Sequence, residues 1–558
     1  MTPEQLSDVV VHALHRIAED GRLTLPDGVP DAVRIERPKV ADHGDYATNV
    51  ALQLAKRAGA NPRELAQDLA GLLAEHDGIA AAEVAGPGFL NVRLAADSQG
   101  LVAGQVLAAG PSFGRTETLA GRRINLEFIS ANPTGPLHLG HTRWAATGDA
   151  VARVLEAAGA DVAREFYVND RGSQMDAFGA SLMARAHGEE PPENGYHGAY
   201  VAELAEQIVA SDPAIVSLPR EEQLVAFREA GYALQLGQHR SELAEFHTEF
   251  DVWFSERSLH AEHPDGTAVE RGFAKLREQG RLYESDGALW MRTTDFGDDK
   301  DRVLRKSDGA LTYFASDTAY YVDKRERGFD PCLYLLGADH HGYVGRLKAM
   351  AACVGDDPDA QLEVLIGQLV KILSDGQELK LSKRAGTIVS LRELIDLIGV
   401  DALRYTLIRY PADTPLTLDV AEMTSKSNDN PVYYVQYAHA RLSSILRNAA
   451  DLGVELDVEG HDAGLLDGEA EGRLLRALAA FPGVVARAAE LREPHRVARY
   501  LEETAASFHA FYGACRVLPQ GDEDVSDVHR ARLVLVAATR QVVANGLAML
   551  GVSAPERM

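Results

Sequence analysis

The sequence predicts an α/β fold, a split doubly wound parallel sheet, preceded by a small α+β segment and followed by an all-α one. Three observations lead there. An apolar run at 123–129 (RINLEFI) meets a Gly/Pro turn and then a helical pattern, the strand–turn–helix unit of such a sheet. Two further apolar runs, 332–336 and 362–366, alternate with helical stretches, as parallel strands do. Beyond about residue 420, long Ala/Leu/Val/Arg stretches read as helix nearly throughout. At 558 residues the chain is long enough for three or four domains with sizeable cores.

The first element opens at Thr2-Pro3-Glu4-Gln5, an N-cap, a proline at N1 and a capping-box glutamine. Leu6, Val9, Val10, Leu14 and Ile17 then share one helical face before Gly21. Helices are expected over 48–58 and 62–75, and GPGFLNVRL (86–94) alternates as a strand after a Pro-Gly turn. Residues 1–108 are set apart as an N-terminal module. The central region, 109–419, carries the strand at 123–129, a turn punctuated by Asn132, Pro133, Gly135 and Pro136, and a helix from about His141 to Gly159. A helical insertion near 175–265 follows, with Pro191-Pro192 and Ser211-Asp212-Pro213 as loop punctuation. The core resumes near Asp301 with VLRKSDGALTYFASD, which reads as a hairpin turning at Asp308-Gly309. The strands at 332–336 and 362–366 continue the sheet, and ligands belong at the carboxyl ends of such strands. Residues 420–558 form the helical segment, with a charged loop near 520–527.

The chemistry concentrates in SANPTGPLHLGHTR (130–143). A strand, a Gly-rich turn and a helix N-terminus aim unpaired backbone N–H groups and the helix dipole at one point, which suits an anion. His138 and His141 can add imidazole N–H donors there, and Gly140 leaves room for a flat base or a ribose. Capping or packing is the plainer role for two histidines at a helix start. The spacing Gly135-x-x-x-x-Gly140-His141-Thr142 imitates a P-loop, but histidine stands where that loop needs lysine for the β- and γ-phosphates. A second signature, KLSKRAG (380–386), follows an apolar run and a Ser-Asp-Gly turn. A basic loop is usually only solvated surface. Paired with HLGH in an α/β chain, Lys380, Lys383 and Arg384 read better as a clamp on a triphosphate whose α–β bond breaks.

The two motifs resemble the HIGH and KMSKS signatures of class I aminoacyl-tRNA synthetases. The surrounding text resembles the arginyl-tRNA synthetase family: EFISANPTGPLHLGH, FYVNDRGSQ (166–174), YFASDTAYY (313–321), GADHHGYVGR (337–346), DALRY (401–405) and DNPVYYVQYAHAR (429–441). The likeness runs from HGDYATN (43–49) to the closing ERM and is loose only over about 189–266. It implies a Rossmann-like catalytic domain at 109–419, an N-terminal module that touches the tRNA elbow and a DALR-type anticodon-binding domain at 420–558. It implies that His138, His141, Lys380 and Lys383 are catalytic, and that Pro133, Gly135, Gly140 and Ser382 join them in binding ATP. Arginine would be held by Glu127, Ser130, Asn132, Tyr313, Asp317 and His340. Two carboxylates and a hydroxyl fit the forked guanidinium, and Glu127, inside an apolar strand, is costly to bury unless a cation arrives. Some family members lack the second lysine of the KMSKS loop and carry a compensating lysine just before HIGH. This chain keeps Lys383 and has Thr134 at that upstream position, so it resembles the intact-loop type, with Leu381 and Arg384 as mild departures.

The implied partners are tRNA(Arg), L-arginine and ATP with magnesium, with no tightly bound cofactor, no protein-held metal and a monomeric chain. Against 83 Asp and Glu there are 56 Lys and Arg, a net charge of −27, which is awkward for an RNA binder. Local basic patches are then needed, and 122–123, 380–384 and 492–499 are candidates. The three cysteines, Cys332, Cys353 and Cys515, are widely spaced and suggest neither a zinc site nor a disulfide framework. Neither a leader nor a bilayer-spanning stretch is evident, so a reducing cytoplasm is expected. Two other functions fit parts of the pattern. One is a nucleotidyltransferase of the same superfamily that works without RNA; the other is a non-catalytic tRNA-binding paralogue.

Overall fold

A computed structural model describes residues 1–36, 38, 43–374, 376–378 and 389–558. Helix α1 (Pro3–Glu19) starts with the expected capping box, Thr2 Oγ1 accepting from Gln5 N and Gln5 Oε1 from Thr2 N. Strand β1 (Tyr46–Thr48), helices α2 (Val50–Ala58) and α3 (Pro62–Leu73), and strands β2 (Ile79–Ala85) and β3 (Phe89–Leu94) complete a small α+β unit with sheet order β1-β3-β2. Thr48, expected to open a helix, ends a strand instead, and the helix begins at Val50. The unit's core closes at Leu94. The next helix, α4 (Ala96–Ala109), falls inside the segment set apart as N-terminal, yet its Val102, Ala103 and Val106 belong to the core shared by the central and C-terminal parts.

The central sheet contains β4 (Arg123–Glu127), β5 (Asp161–Val168) and β6 (Val252–Ser255), with α5 (Leu139–Ala157) crossing from β4 to β5. Between β5 and β6 come α6 (Ser173–Ala186), α7 (Ala199–Ser211) and α8 (Arg220–Glu245), packed around their own core of Phe178, Leu182, Leu204, Ile208 and Phe227. The stretch read as a helical insertion therefore also contains β6, a strand of the main sheet. Short α9 (Glu256–Leu259) and α10 (Ala268–Glu278) lead to an antiparallel meander of β7 (Leu282–Ser285), β8 (Ala288–Met291) and β9 (Arg302–Arg305).

The hairpin expected at Asp308-Gly309 is reduced to one bridge, Arg305 to Leu311. The aromatic run after it is not a strand. It forms α11 (Tyr313–Glu326), whose buried Phe314, Ala315, Ala319 and Val322 pack at helical spacing against the underside of the sheet. Strand β10 (Cys332–Gly337), α12 (Val344–Cys353) and β11 (Leu362–Gly367) then close a five-stranded, all-parallel sheet of order β11-β10-β4-β5-β6. The chain runs outward from β4 in one direction and resumes beside β4 in the other, so the topological switch lies between β4 and β10.

A smaller sheet joins β12 (Val370–Ser374), β13 (Gln377–Glu378) and β14 (Leu416–Asp419), with α13 (Leu391–Ile398) and α14 (Val400–Ile408) between its last two strands. Helices α15 (Val420–Thr424), α16 (Pro431–Asp451), α17 (Glu469–Ala479), α18 (Phe481–Leu491), α19 (His495–Ala514) and α20 (Asp527–Met549) make the C-terminal part. Arg404 of α14 is wholly buried where the parts meet. Its guanidinium donates to Asp149 Oδ2 on α5 at 2.5 Å, to the Phe246 carbonyl at 2.7 Å and to the Leu550 carbonyl at 3.0 Å. A buried charge needs this kind of full pairing, and here it ties the first crossover helix to the end of the chain.

Candidate active site

The turn after β4 is strained. Ile129 and Ser130 take φ values of 68° and 47°, a region a β-branched residue rarely enters, and such strain persists only where its surroundings enforce it. It places Ser130 Oγ 3.0 Å from Glu127 Oε1, where it also accepts from Tyr167 N at 3.1 Å. Further on, His138 becomes the N-cap of α5: its Nδ1 accepts from Gly140 N at 3.2 Å, and His141 Nδ1 accepts from His138 N at 3.2 Å. The rings stack with centroids 3.7 Å apart. Capping and anion contact are therefore compatible. Each Nδ1 is an acceptor, so each neutral ring carries its proton on Nε2, free to donate. Burial pushes the His141 pKa down to about 3, helped by the charges of His138 and His239, and burial also lowers His138. At neutral pH the pair is thus uncharged, a matched set of N–H donors. Gly140 has a local reason as well: a Cβ there would lie 3.1 Å from His138 Cε1, crowding the cap.

Lys380, Ser382 and Lys383 lie outside the described residues. The chain just beyond them is anchored to the histidine motif, with Leu139 N donating to the Val389 carbonyl (3.1 Å) and Leu391 N to the Leu137 carbonyl (2.8 Å). Backbone pairing thus joins the histidine motif to residues 389–391, some 250 residues further along the sequence.

Acidic groups gather at the carboxyl ends of the strands. Glu127 ends β4, Glu256 follows β6, and Asp317 projects from α11. Burial raises Asp317 to about 6, opposed by a hydrogen bond from Tyr343 and reinforced by the charges of Glu127 and Glu256. Both Asp317 and Glu127 already have partners within the chain. The hydroxyl on Asp317 belongs to Tyr343, whereas Tyr313 is 72% exposed at the start of α11. Glu127 also does not wait for a substrate cation, because Lys324 Nζ donates to its Oε2 at 2.6 Å from a fully buried side chain. Lys324 sits over the rings of Tyr334 and Tyr320, 3.9 and 4.2 Å from their centroids. Beneath it Glu165 accepts a fork from Arg327 (2.7 and 2.9 Å), Tyr320 Oη (2.6 Å) and Asn125 Nδ2 (2.8 Å). His340 is exposed after β10, its Nδ1 3.2 Å from Asp339, and it is Tyr343 of this segment that reaches Asp317. Glu256 was not singled out from the sequence, although a carboxylate closing the apolar run Val252–Ser255 carries the same signal as Glu127. Asn132 Nδ2 donates to Gln174 Oε1 at 2.9 Å, which leaves its own Oδ1 for another donor. Pro133 is buried behind it, and Gly135 lies beside the Tyr200 hydroxyl.

A second feature lies on α16 and α19. Tyr433 and Tyr437 stack with centroids 6.1 Å apart, His509 stacks on Tyr437, and Arg441 lies over the exposed Tyr512 ring at 4.5 Å. Of the basic patches, Arg123 pairs with Asp161 and the Arg327 carbonyl, Arg492 with Glu363 and Arg496 with Glu493. The first of these sits at the amino end of β4, opposite the site.

Family models match nearly the whole chain: the arginyl tRNA synthetase N-terminal domain at residues 4–94, the class I (R) tRNA synthetase catalytic domain at 104–206 and 221–406, and the DALR anticodon binding domain at 435–558. The chain belongs to the arginyl-tRNA synthetase family. Its relatives in the family include the arginine–tRNA ligase of Kineococcus radiotolerans, 57% identical, and that of Paenarthrobacter aurescens, 55% identical, each aligned over all of both chains. The arginyl-tRNA synthetase of Thermus thermophilus shares the fold, with a TM-score of 0.74 at 24% identity and full coverage of both chains. The architecture is accordingly that of a class I catalytic domain flanked by the family's N-terminal and helical DALR domains. All three cysteines are free, and among the described residues no helix is long and apolar enough to cross a membrane.

Proposed function

We propose that this protein ligates L-arginine to tRNA(Arg), using ATP and passing through arginyl-adenylate. The observation that carries this is the neutral, Nε2–H-bearing histidine pair at the start of α5, together with the carboxylate cluster of Glu127, Glu256 and Asp317 near the switch point of the sheet. In the proposed reaction the arginine carboxylate attacks the α-phosphate of ATP and pyrophosphate leaves. Positioning and charge stabilisation supply the catalysis, with no covalent enzyme intermediate. His138 and His141 donate to the reacting phosphate, and Lys380 and Lys383 close on the departing pyrophosphate. Magnesium arrives with ATP as part of the substrate.

Pro133, Gly135, Gly140 and Ser382 complete the ATP site. Glu127, Asp317 and Ser130 face the guanidinium end with Tyr313 nearby, Asn132 lies toward the α-amino group and His340 at the rim. The arginyl group then passes to the 2′-hydroxyl of the terminal ribose, and activation itself requires bound tRNA. The Tyr437–Arg441 platform offers stacking faces to unpaired bases, a mode of RNA recognition that tolerates an acidic protein. The N-terminal unit is assigned to the tRNA elbow, and the enzyme works as a cytoplasmic monomer.

ATP–pyrophosphate exchange with each amino acid, run with and without tRNA bearing an arginine anticodon, tests the reading. Exchange with arginine and that tRNA alone is the expected result. Exchange driven by another amino acid would overturn the substrate, and none under any condition would favour a binding-only protein.

A further inference from the structure

The insertion helices α6, α7 and α8 have a core of their own and look at first like an appendage. Each nevertheless sends one polar side chain to the turn that precedes the histidine motif. Gln174 of α6 accepts from Asn132 Nδ2 at 2.9 Å, Tyr200 Oη of α7 donates to the Thr134 carbonyl at 2.8 Å, and His239 Nε2 of α8 donates to the Gly135 carbonyl at 2.8 Å. Three consecutive helices thus hold the four residues 132–135 at three points. His239 is fully buried, its ring 6.4 Å from that of Phe166, and its Nδ1 has no hydrogen-bond partner among the described residues. A donor buried so deeply with a single partner is a costly choice for packing alone, where an apolar ring would serve. Burial also lowers its pKa to about 4, so the contact stays in one neutral tautomer through the working range.

We propose that Tyr200 and His239 are positioning residues that fix the backbone of the nucleotide-binding turn, making the insertion the buttress of the ATP site. This rests on the reading of residues 133–141 as that site. The turn's two carbonyls face away from solvent into the insertion, so its remaining groups and the first N–H groups of α5 keep one orientation toward the phosphates. The two tethers end on Thr134 and Gly135, not on Asn132, Glu127 or Asp317, so the effect of losing one should fall chiefly on ATP.

The test compares Tyr200→Phe, His239→Leu and His239→Gln with the parent protein in arginine-dependent ATP–pyrophosphate exchange with tRNA present. Each loses or keeps a single hydrogen bond, and glutamine can place its Nε2 where the imidazole donor lies. We expect KM for ATP to rise about two- to tenfold in Tyr200→Phe and His239→Leu, the range that one neutral hydrogen bond commands. KM for arginine should stay within twofold, and His239→Gln should recover most of the ATP effect. Unshifted ATP KM values, or ATP and arginine KM values rising together with a lowered melting temperature, would overturn the proposal in favour of plain packing. Parent protein with no exchange would overturn the ATP reading and the buttress together, whereas parent exchange with unshifted variants overturns the buttress alone.

Discussion

Replacing Lys324 with methionine isolates the most consequential ion pair near the site. Its ammonium lies 2.6 Å from Glu127 Oε2, with the lysine side chain fully buried and that of the glutamate 11% exposed. Removing one partner strands the other charge, which costs ~3–5 kcal/mol for a buried pair. The two aromatic contacts of Lys324 add to that loss, since a desolvated cation–π contact reaches about 2 kcal/mol. At about 2 °C per kcal/mol for a domain of this size, loss of the ion pair alone should lower the melting transition of the catalytic part by about 6–10 °C. Calorimetry on four proteins checks this: parent, Lys324→Met, Glu127→Gln and the double variant. The double variant removes both charges and keeps the volumes, so it should recover to within ~1–2 kcal/mol of the parent, because a buried pair is worth little against a neutral replacement. KM for arginine should rise in every variant that lacks the Glu127 carboxylate, including the stable double one. That separates the two duties of Glu127. A Lys324→Met protein within about 1 kcal/mol of the parent, or a double variant as unstable as both singles summed, would refute the reasoning.

Asp317→Asn should stabilise the unliganded protein at pH 8 while raising KM for arginine steeply. A carboxyl near 6 in the fold against 3.8 unfolded favours folding most below pH 4, and that contribution is lost as pH rises through 6, on the order of 1–3 kcal/mol; urea titrations at pH 5 and pH 8 measure it, and a less stable variant at pH 8 would contradict it. For the same reason, arginine affinity of the parent should fall as pH drops below about 6, whereas that of Asp317→Asn should stay flat. Lys383→Ala should collapse the exchange rate with arginine binding largely kept, and unchanged turnover would remove that loop from the mechanism. Tyr437→Ala should weaken tRNA binding by ~1–3 kcal/mol, the worth of one stacked base, without altering ATP binding; a filter-binding isotherm equal to that of the parent would reject the platform.

What the sequence disclosed follows the range of the interaction. The histidine pair, its turn and the capping box at Thr2 are built from neighbours a few residues apart, so spacing alone announces them. The parallel sheet was legible because its strands are continuous apolar runs, and the carboxylate in one of them marked Glu127 as unusual. That its cation would be Lys324, 197 residues away, has no local signature. The confusion of α11 with a hairpin arose because Gly309 turns the chain and tyrosine and phenylalanine favour strands; only the sheet beneath α11 decides that the run is helical. The hydrogen bond from Tyr343 to Asp317, which joins residues 26 apart in two elements, had no local signature either. The tethers from Tyr200 and His239 end on backbone carbonyls, which every residue possesses, so the composition of the turn could not advertise them.

The acidity of the chain, a difficulty for an RNA-binding protein when only the total is known, takes a different form once the pairs are known. Several arginines counted toward basic patches are committed within the chain: Arg123 to Asp161, Arg492 to Glu363 and Arg496 to Glu493. They cannot neutralise phosphates without losing those partners, so phosphate contact cannot be the main source of specificity on these faces. The C-terminal helices carry instead a cluster of half-buried rings and Arg441 beside the exposed Tyr512, the kind of surface on which bases can stack. An acidic body disfavours indiscriminate binding of nucleic acid, and on the proposed reading the aromatic platform selects unpaired bases within it. Together they would make a protein of net charge −27 selective for RNA instead of merely attracted to it, which is what the Tyr437→Ala binding isotherm measures.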